Sequence, residues 1–355
     1  MNKNLIIVIA TAHNRRKYLP FALKSLESQT IPKDKFEVIV VKNFEDNISD
    51  EIISRNKWKN VVTDEKSLSS KIAIGFKKSK GDIITFLEDD DLYREDRLAK
   101  VYETFNKFND LIYFHNSQEL IFEKGIKLEK SRLGFTSRNL VGNGDVIIDI
   151  DRLRKLARDY KISVTDIILR HVRILADVNN SSLAVKKYVL EHNYDLLMMI
   201  PIGIDNFIFA ASIKTGGLMY FTDKKLTSYK IHGENWSSFF TIGKGRETYI
   251  KKFRPFLQVM VGHRVIAYQL LEEELNIYTY SELHYRAGLW LIPQTESREL
   301  PPELKPKPSD FMKALRCISM GLLARPTLLL AITLLLLGNS ISLKKFAYNL
   351  FGRFI

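Results

Sequence analysis

Cysteine is nearly absent from this sequence of 355 residues, which contains Cys317 and no other. A single cysteine excludes an intrachain disulfide and is typical of proteins from a reducing compartment. Long apolar runs are also scarce. The run that opens the chain stops at Ala10, before the polar segment that begins at Thr11, and is too short for a signal-peptide core. We therefore interpret it as the first strand of a globular protein, as the apolar content of 45% also indicates.

Recognised nucleic-acid-binding motifs are missing, although the formal net charge is +13. A charge of this size requires an acidic partner, which can be nucleic acid, anionic lipid or a phosphorylated substrate. Because no basic groove with interleaved aromatic residues is apparent, we do not expect nucleic acid to be the partner. The beginning of the chain also lacks a Gly-rich strand-to-helix phosphate loop, which argues against a nucleotidyltransferase.

The C-terminal tail, residues 311–355, lacks acidic residues altogether. Its leucine-rich run at 327–337 is too short to cross a hydrocarbon core of roughly 30 Å, and an extension back to residue 318 would include Arg325 and Pro326. The end of the tail combines apolar residues at helical spacing with basic ones, which is typical of a helix at a membrane surface. The basic residues of the tail are Lys313, Arg316, Arg325, Lys344, Lys345 and Arg353.

The tail therefore predicts membrane association at the cytoplasmic face of the cell membrane. The alternative is a helical cap on the rest of the protein or an interface in a homo-oligomer. A proline-rich stretch at 301–310 separates the tail from the preceding residues and predicts a linker.

Apolar strand-like runs alternate with helical patterns from residue 5 to residue 115. Such alternation predicts an α/β fold with a Rossmann-like, mostly parallel sheet and flanking helices. The pattern weakens between 118 and 176, which we interpret as an insertion. Order returns with strands at 181–185 and 226–231 and a helix at 205–214. Within the first part, strands are predicted at 5–10, 36–41, 61–62, 83–87 and 111–115, and helices at 16–29, 49–55, 67–79 and 96–108.

Four consecutive acidic residues follow the predicted strand at 83–87: Glu88, Asp89, Asp90 and Asp91. In open α/β sheets, ligands bind beyond the carboxyl ends of the strands. Four adjacent carboxylates are electrostatically costly there unless a cation binds, and oxygen ligands suit Mg²⁺ or Mn²⁺. We therefore expect an exposed strand end that binds a metal ion. The alternative is a solvated acidic turn that caps the next helix.

Five segments, in order, resemble family 2 glycosyltransferases of the GT-A fold. "IATAHNRRKYLPFALKSLESQT" is similar to the opening strand, "PTYNR" turn and "SLxxQT" helix of that family, and "FEVIVVKNFED" to its second strand and "DDGSxD" turn. "AIGFKKSKGDIITFLEDDDLY" resembles the block that carries the DxD motif. "IPIGIDNFIFA" resembles the "GED" segment, and "LTSYKIHGENWSS" the "YRxHxxNxS" segment. The resemblance covers roughly residues 5–115 and 177–240.

The resemblance implies metal-dependent transfer of a sugar from a nucleotide-diphosphate donor to an acceptor hydroxyl with inversion. The DxD carboxylates would bind the metal and the donor diphosphate, in the register Glu88-x-Asp90 or Asp89-x-Asp91, with Asp90 and Asp91 as metal ligands. Asp205 of the "GED" segment would be the general base, or alternatively a helix N-cap. Residues expected to contact the donor are Thr11, His13, Arg15, Asn43, Lys71, Glu88, Asp89 and His232. For Lys71 and Arg15 the alternative is an ordinary surface residue, and for His232 a loop histidine.

Two departures from the family pattern stand out. Lys42 and Asn43 occupy positions where the family usually has two aspartates, which puts uridine as the donor nucleotide in question, and Ile204 replaces the glutamate of "GED". They leave open a catalytically silent nucleotide-sugar-binding or scaffolding subunit. The main prediction is a membrane-associated glycosyltransferase with a glycan or lipid-linked acceptor. Its predicted domains are a catalytic domain at 1–240, with a nucleotide-sugar half at 1–115, an insertion at 118–176 and an acceptor half at 177–240, then a helical extension at 241–300.

Overall fold

One nine-stranded mixed sheet carries the described part of the chain. The structure is a computed structural model that describes residues 5–123, 144–160, 164, 168, 179–200 and 203–232. The strands are β1 (Ile6–Ala12), β2 (Phe36–Lys42), β3 (Lys59–Val62), β4 (Ile83–Glu88), β5 (Leu92–Tyr93), β6 (Leu111–Phe122), β7 (Val146–Asp149), β8 (Leu183–Lys186) and β9 (Leu218–Ile231). The helices are α1 (Leu19–Glu27), α2 (Asn47–Arg55), α3 (Leu68–Lys77), α4 (Arg97–Lys107), α5 (Ile150–Tyr160), α6 (Lys187–Glu191), α7 (Tyr194–Met198) and α8 (Ile204–Thr215), with 3-10 turns at Lys33–Lys35 and Asn180–Ser182.

The first four strands in sheet order, β3, β2, β1 and β4, are parallel to one another, as the sequence predicted. Every residue of β1 is buried, because helices pack on both of its faces. Val8 belongs to a core cluster that includes Leu23 of α1. On the opposite face, Ile9 contacts Gly75 of α3, where an added Cβ would lie 2.7 Å from Ile9 Cγ2. The glycine thus permits close packing of α3 on the sheet.

The prediction of a mostly parallel sheet is wrong for the second half of the sheet. β8 lies between β4 and β6 and is antiparallel to both. β5 and β7 are each antiparallel to β9, whereas β6 and β9 run parallel. The pattern at 181–185 predicted a strand but not its direction, because apolar periodicity does not encode strand direction. The observed sheet is therefore a mixed α/β sheet in the order β3-β2-β1-β4-β8-β6-β9-β5.

β6 and β9 are longer than the sequence predicted. β6 continues past His115 to Phe122, and β9 begins at Leu218 instead of residue 226. Register shifts near Asn116 and Ser117 interrupt their pairing, and polar residues break the apolar pattern of β9 between Thr222 and Lys225. These irregularities explain why periodicity alone underestimated both strands.

Arg97, the first residue of α4, joins three strands beneath the carboxyl end of β4. It is fully buried, and its guanidinium donates to Asn116 Oδ1 of β6, Thr85 Oγ1 of β4 and the carbonyl of Leu183 in β8, at 3.0, 2.9 and 3.2 Å. The guanidinium also lies 4.0 Å from the ring centre of Tyr93. These contacts fix β8 between its two antiparallel neighbours.

The chain divides into two units, Met1–Ile242 and Gly243–Ile355, and the described residues all belong to the first. Within those residues, no helix combines the length and the apolar character that a membrane crossing requires. The predicted helical extension, linker and membrane-associating tail lie outside the described residues, as do positions 124–143 of the predicted insertion.

Candidate active site

The acidic run lies where the sequence predicted it, at the carboxyl end of β4. Glu88 is the last residue of that strand and pairs in register with Thr11 of β1. The next three residues form a turn in which the amide of Asp91 donates to the carbonyl of Glu88 at 3.2 Å. The expectation of an exposed strand end is wrong. Glu88 is half-buried, and the exposed fractions of Asp89, Asp90 and Asp91 are 4%, 5% and 0%, because neighbouring loops and β9 cover them.

Asp89 is bound by the turn that follows β1. The backbone amide of His13 donates to Asp89 Oδ2, and Arg15 Nη1 donates to Asp89 Oδ1, both at 3.1 Å. The alternative interpretation of Arg15 as an ordinary surface residue is therefore wrong, since its guanidinium forms ion pairs with two buried carboxylates, Asp89 and Asp90.

Asp90 is contacted by residues that follow the first and the last strand of the described sheet. Its Oδ2 accepts from Arg15 Nη1 at 2.5 Å and lies 2.9 Å from His232 Nε2. His232 follows β9 directly and is fully buried, with its ring 4.5 Å from the ring of Tyr18. The interpretation of His232 as a simple loop histidine is wrong, because it packs inside the site against the carboxylate.

Asp91 and Glu88 are bound by the segment that precedes β8. Asn179 Nδ2 donates to Asp91 Oδ2 at 2.7 Å, and Asn180 Nδ2 donates to Glu88 Oε1 at 2.9 Å. The hydroxyl of Ser181 accepts from the amide of Glu88 at 3.0 Å, and the amide of Lys230 donates to Asp91 Oδ1 at 3.2 Å. Sequence reasoning missed these three residues of the 179–181 segment. The available signal was a run of four polar residues directly before an apolar strand.

Glu88, Asp90 and Asp91 each offer one carboxylate oxygen, and these atoms all lie within 4.8 Å of one another. Burial, with the charge of Asp90 as a second cause, raises the pKa of Glu88 to about 7 and that of Asp91 well above its usual range. The same two causes raise the pKa of Asp89 to about 7, against the opposing effect of Arg15. An oxygen-only donor set with this excess of negative charge fits a hard divalent cation, which would offset the cost of burying the carboxylates.

The alternative interpretation of Lys71 as an ordinary surface residue is wrong, because the residue is buried. Its side chain, on α3, is 2% exposed, and its Nζ lies 2.9 Å from both the carbonyl oxygen of Ala12 and Nδ1 of His13. Burial lowers the pKa of Lys71 to about 8. The pKa of His13 is also lowered, first by burial and then by the positive charge of Lys71. Lys71 thus binds the same β1 turn that contacts Asp89.

The turn after β2, which departs from the family pattern at Lys42 and Asn43, is held by contacts within the protein. Lys42 is fully buried, and its Nζ lies 2.8 Å from Asp50 Oδ1 of α2. Asn43 and Asn14 form a reciprocal pair, in which the amide of Asn14 donates to Asn43 Oδ1 at 2.9 Å and Asn43 Nδ2 donates to Asn14 Oδ1 at 2.8 Å. Asn14 adopts a left-handed conformation with φ of 60°. Asn43 thereby lies beside the β1 turn, whereas Lys42 serves the packing of α2.

Asp205 lies in the first turn of α8, and its Oδ1 accepts from the amide of Asn206 at 3.0 Å. The N-cap position belongs to Gly203, whose φ of 81° is left-handed, so the interpretation of Asp205 as the N-cap is wrong. α8 packs against β6 and β8. The structure therefore places Asp205 on a different element from the carboxylates of the β4 turn.

Residues 7–162 match the family model described as glycosyl transferase family 2. An uncharacterized glycosyltransferase of Rickettsia conorii is 30% identical over 144 residues, which are 39% of this chain and 23% of that protein. An uncharacterized glycosyltransferase of Rickettsia bellii is 31% identical over 139 residues, 38% of this chain and 20% of that protein. The match thus spans less than a quarter of the length of these relatives.

Among solved structures, the crystal structure of S. aureus TarS 1–349 has a TM-score of 0.50 and 15% sequence identity, and the likeness covers 88% of this chain and 79% of that one. The same TarS fragment in complex with UDP-GlcNAc gives a TM-score of 0.50 at 14% identity, with the same coverage. At this level of identity the likeness shows a shared fold, a GT-A-like mixed α/β sheet flanked by helices.

Proposed function

We propose that this chain, whose residues 7–162 match the model of glycosyl transferase family 2, acts as a glycosyltransferase of that family. It would transfer a sugar from a nucleoside-diphosphate donor to an acceptor hydroxyl, with inversion and with a divalent cation. The observation that carries the proposal is the group of oxygens from Glu88, Asp90 and Asp91 within 4.8 Å at the end of a parallel strand. That is the position where open α/β sheets bind ligands.

Glu88, Asp90 and Asp91 would hold the cation, either Mn²⁺ or Mg²⁺, which would neutralise the leaving diphosphate. Asp89 orients the β1 turn, because it accepts hydrogen bonds from the His13 amide and from Arg15. Arg15 and Lys71 add positive charge next to this turn. The donor would therefore bind between the ends of β1, β2 and β4, in contact with Thr11, His13 and Asn43.

Asp205 is the proposed general base that takes the proton from the attacking acceptor hydroxyl. The support for this role is the position of Asp205 in the segment that resembles "GED". A retaining double displacement needs a second carboxylate as nucleophile, and the sequence offers no supported candidate for one. A single base with in-line attack gives inversion of the anomeric centre.

Residues 311–355 would attach the enzyme to the cytoplasmic face of the cell membrane, with a glycan or lipid-linked acceptor. The support is the combination of six basic residues, no acidic ones and an apolar run too short to span easily. On this proposal residues 1–240 form the catalytic domain, with 241–300 as a helical extension and 301–310 as a linker. Self-association through the tail is the competing arrangement.

A panel of nucleotide sugars tests the function. Purified full-length protein should hydrolyse or transfer the sugar of at least one donor with Mn²⁺ or Mg²⁺ and lose that activity in EDTA.

Asp90→Asn should reduce turnover by at least about 100-fold, the scale of losing one preorganised electrostatic contact at a transition state. The matched control is Asp82→Asn, which changes an exposed aspartate at the opposite end of β4 and should leave turnover unchanged. Full activity in EDTA would refute the metal role. Donor binding without turnover of any donor would indicate a silent binding subunit.

A further inference from the structure

Four consecutive polar residues before β8, Asn179–Ser182, are almost completely buried. The exposed fractions of Asn179 and Asn180 are 6% and 5%, and Ser181 and Ser182 are not exposed at all. Buried polar side chains destabilise a fold unless they form hydrogen bonds. The partners of this segment therefore indicate why it is polar.

Adjacent carboxamides in this segment bind different carboxylates. Asn179 donates to Asp91 at 2.7 Å and Asn180 donates to Glu88 at 2.9 Å. Both carboxylates belong to the group whose oxygens lie within 4.8 Å of one another. The two carboxamides thus contact two of the three proposed cation ligands, each through one carboxylate oxygen.

The orientation of Asn179 is fixed by further contacts. Its Oδ1 accepts from Gln118 Nε2 at 3.1 Å and from Ser182 Oγ at 3.0 Å. Since two donors occupy this oxygen, the other end of the carboxamide must be the nitrogen that faces Asp91. Thr227 Oγ1 of β9 donates to the carbonyl of Ser181 at 3.1 Å and anchors the backbone of the segment.

The choice of neutral donors has an electrostatic consequence. The described cationic partners of the run, Arg15 and, when protonated, His232, contact Asp89 and Asp90. Carboxamides orient the other two carboxylates by hydrogen bonds but add no positive charge. A lysine or arginine in their place would cancel the negative charge that attracts a cation. The segment therefore preserves both the geometry and the charge of the group.

We propose that Asn179 and Asn180 are positioning residues that hold Asp91 and Glu88 in the arrangement that binds a hard divalent cation. This role rests on the proposed metal dependence. Outer partners of metal ligands fix ligand orientation, and their loss typically weakens metal binding by about 10–100-fold.

The test measures binding of Mn²⁺ alone to full-length protein, by the electron paramagnetic resonance signal of free Mn²⁺. Asn179→Ala and Asn180→Ala should each weaken Mn²⁺ binding by about 10–100-fold. The matched control is Asn193→Ala. Asn193 is also 6% exposed, and its side chain donates a hydrogen bond from Nδ2 to the carbonyl of Val189 at 2.8 Å. Its replacement should lower the melting temperature to a similar extent and leave Mn²⁺ affinity unchanged.

The outcomes separate the two proposals. If wild-type protein binds Mn²⁺ and Asp90→Asn does not, but both asparagine variants bind as tightly as wild type, the positioning role is overturned and the metal site stands. If wild-type protein binds no Mn²⁺, or Asp90→Asn binds it equally well, the proposed metal dependence fails and the positioning role with it. Should an alanine variant not fold, Asn179→Ser or Asn180→Ser supplies the measurement with the same two readouts, because serine keeps a small polar side chain that is too short to make the carboxamide contact with the carboxylate.

Discussion

A hydrogen-bonded chain of residues links α3 to the carboxylates through the β1 turn. Lys71 Nζ contacts Nδ1 of His13, and the backbone amide of His13 donates to Asp89. Because the ammonium group of Lys71 can only donate, Nδ1 of neutral His13 accepts and its proton lies on Nε2. His13 is an exposed residue, so the Nε2–H donor is available to a ligand at the mouth of the site. The contact between Lys71 and His13 is therefore one reason for the burial of this lysine.

The burial of Lys71 predicts a pH-dependent stability. Its pKa is about 8 in the folded protein, because burial disfavours the charged form, and the ordinary value is 10.5. Between these values the unfolded chain binds more protons at this site than the folded chain, so the free energy of unfolding rises with pH there. Relative to Lys71→Met, the wild type should therefore gain stability as pH increases from about 8 to about 10.5, with no change in the difference below that range.

Urea unfolding of both proteins across that pH range provides the measurement. Lys78→Met, which removes an exposed lysine at the end of the same helix, is the control and should show no such difference. Parallel stability curves for wild type and Lys71→Met would contradict the prediction.

Asp205 allows a separate test of catalysis. Asp205→Asn keeps the shape of the side chain and an oxygen that can accept the hydrogen bond from the Asn206 amide. It should reduce kcat by about 10²–10⁴-fold, because a general base acts in the transition state, and leave the affinity for donor nearly unchanged. Steady-state kinetics together with calorimetric titration of donor separate the two quantities. An unchanged kcat would remove Asp205 from the mechanism.

Single residues differed in how far the sequence could predict them. Glu88 and its acidic neighbours were recognisable because they follow an apolar strand directly, and the structure places them at its carboxyl end. Asn179 and Asn180 carry no comparable signal, since polar residues before a strand usually form a solvated loop. Their contact with the carboxylates depends on the antiparallel insertion of β8 beside β4, which local periodicity does not contain.

At the scale of elements, Arg97 is the main polar link beneath the site. Its three described acceptors are neutral groups on β4, β6 and β8. The planar guanidinium reaches the three acceptors from three separate nitrogens, Nε, Nη1 and Nη2, and also lies over the ring of Tyr93, whereas the three donors of an ammonium group all leave from one nitrogen. The position of β8, and with it the 179–182 segment, therefore depends on an arginine and not merely on a positive charge.

Arg97→Lys should consequently destabilise the protein by about 3 kcal/mol, because it leaves buried acceptors without donors at about 1–3 kcal/mol each. Chemical denaturation of wild type and variant measures the difference. Arg94→Lys, at an exposed position just before α4, is the control and should change stability by less than about 0.5 kcal/mol. A small effect of Arg97→Lys would show that other contacts fix β8.

Elements with strong local patterns were predicted well, and elements defined by distant pairing were not. The parallel strands β1, β2 and β4 and the helices between them appear close to their predicted bounds, because buried apolar runs and helical spacing are local signals. β5 has two residues and β7 lies in the predicted insertion, and both form through pairing with β9. Neither carries an apolar run long enough to stand out in the sequence.

On the scale of the whole molecule, charge and apolar residues are unevenly distributed. Six of the 54 basic residues lie in residues 311–355, which hold none of the 41 acidic ones. At a membrane surface the leucine-rich run would be buried and Lys344, Lys345 and Arg353 would contact acidic headgroups. We therefore expect peripheral or shallowly inserted attachment through this tail.

Flotation with liposomes tests this expectation. Full-length protein should float with anionic vesicles at low salt and less so with neutral ones, because each basic residue near an anionic surface contributes about 1 kcal/mol. Reversing three charges, with Lys344→Glu, Lys345→Glu and Arg353→Glu, should abolish flotation. The same charge reversal at three exposed lysines of the described region, Lys57, Lys77 and Lys78, should have little effect. A chain that ends at Lys307 should remain in the soluble fraction and still bind donor.

The reaction gives an independent readout of the same attachment. If the tail brings the catalytic region to a lipid-borne acceptor, its removal should reduce transfer to that acceptor more than transfer to a short soluble analogue, since the gain comes from effective concentration and not from the chemical step. Equal losses on both acceptors would mean that the tail supports the catalytic region itself. A different result would identify the tail as an interface between copies of the chain. In that case full-length protein does not bind anionic vesicles, and removal of the tail changes its oligomeric state.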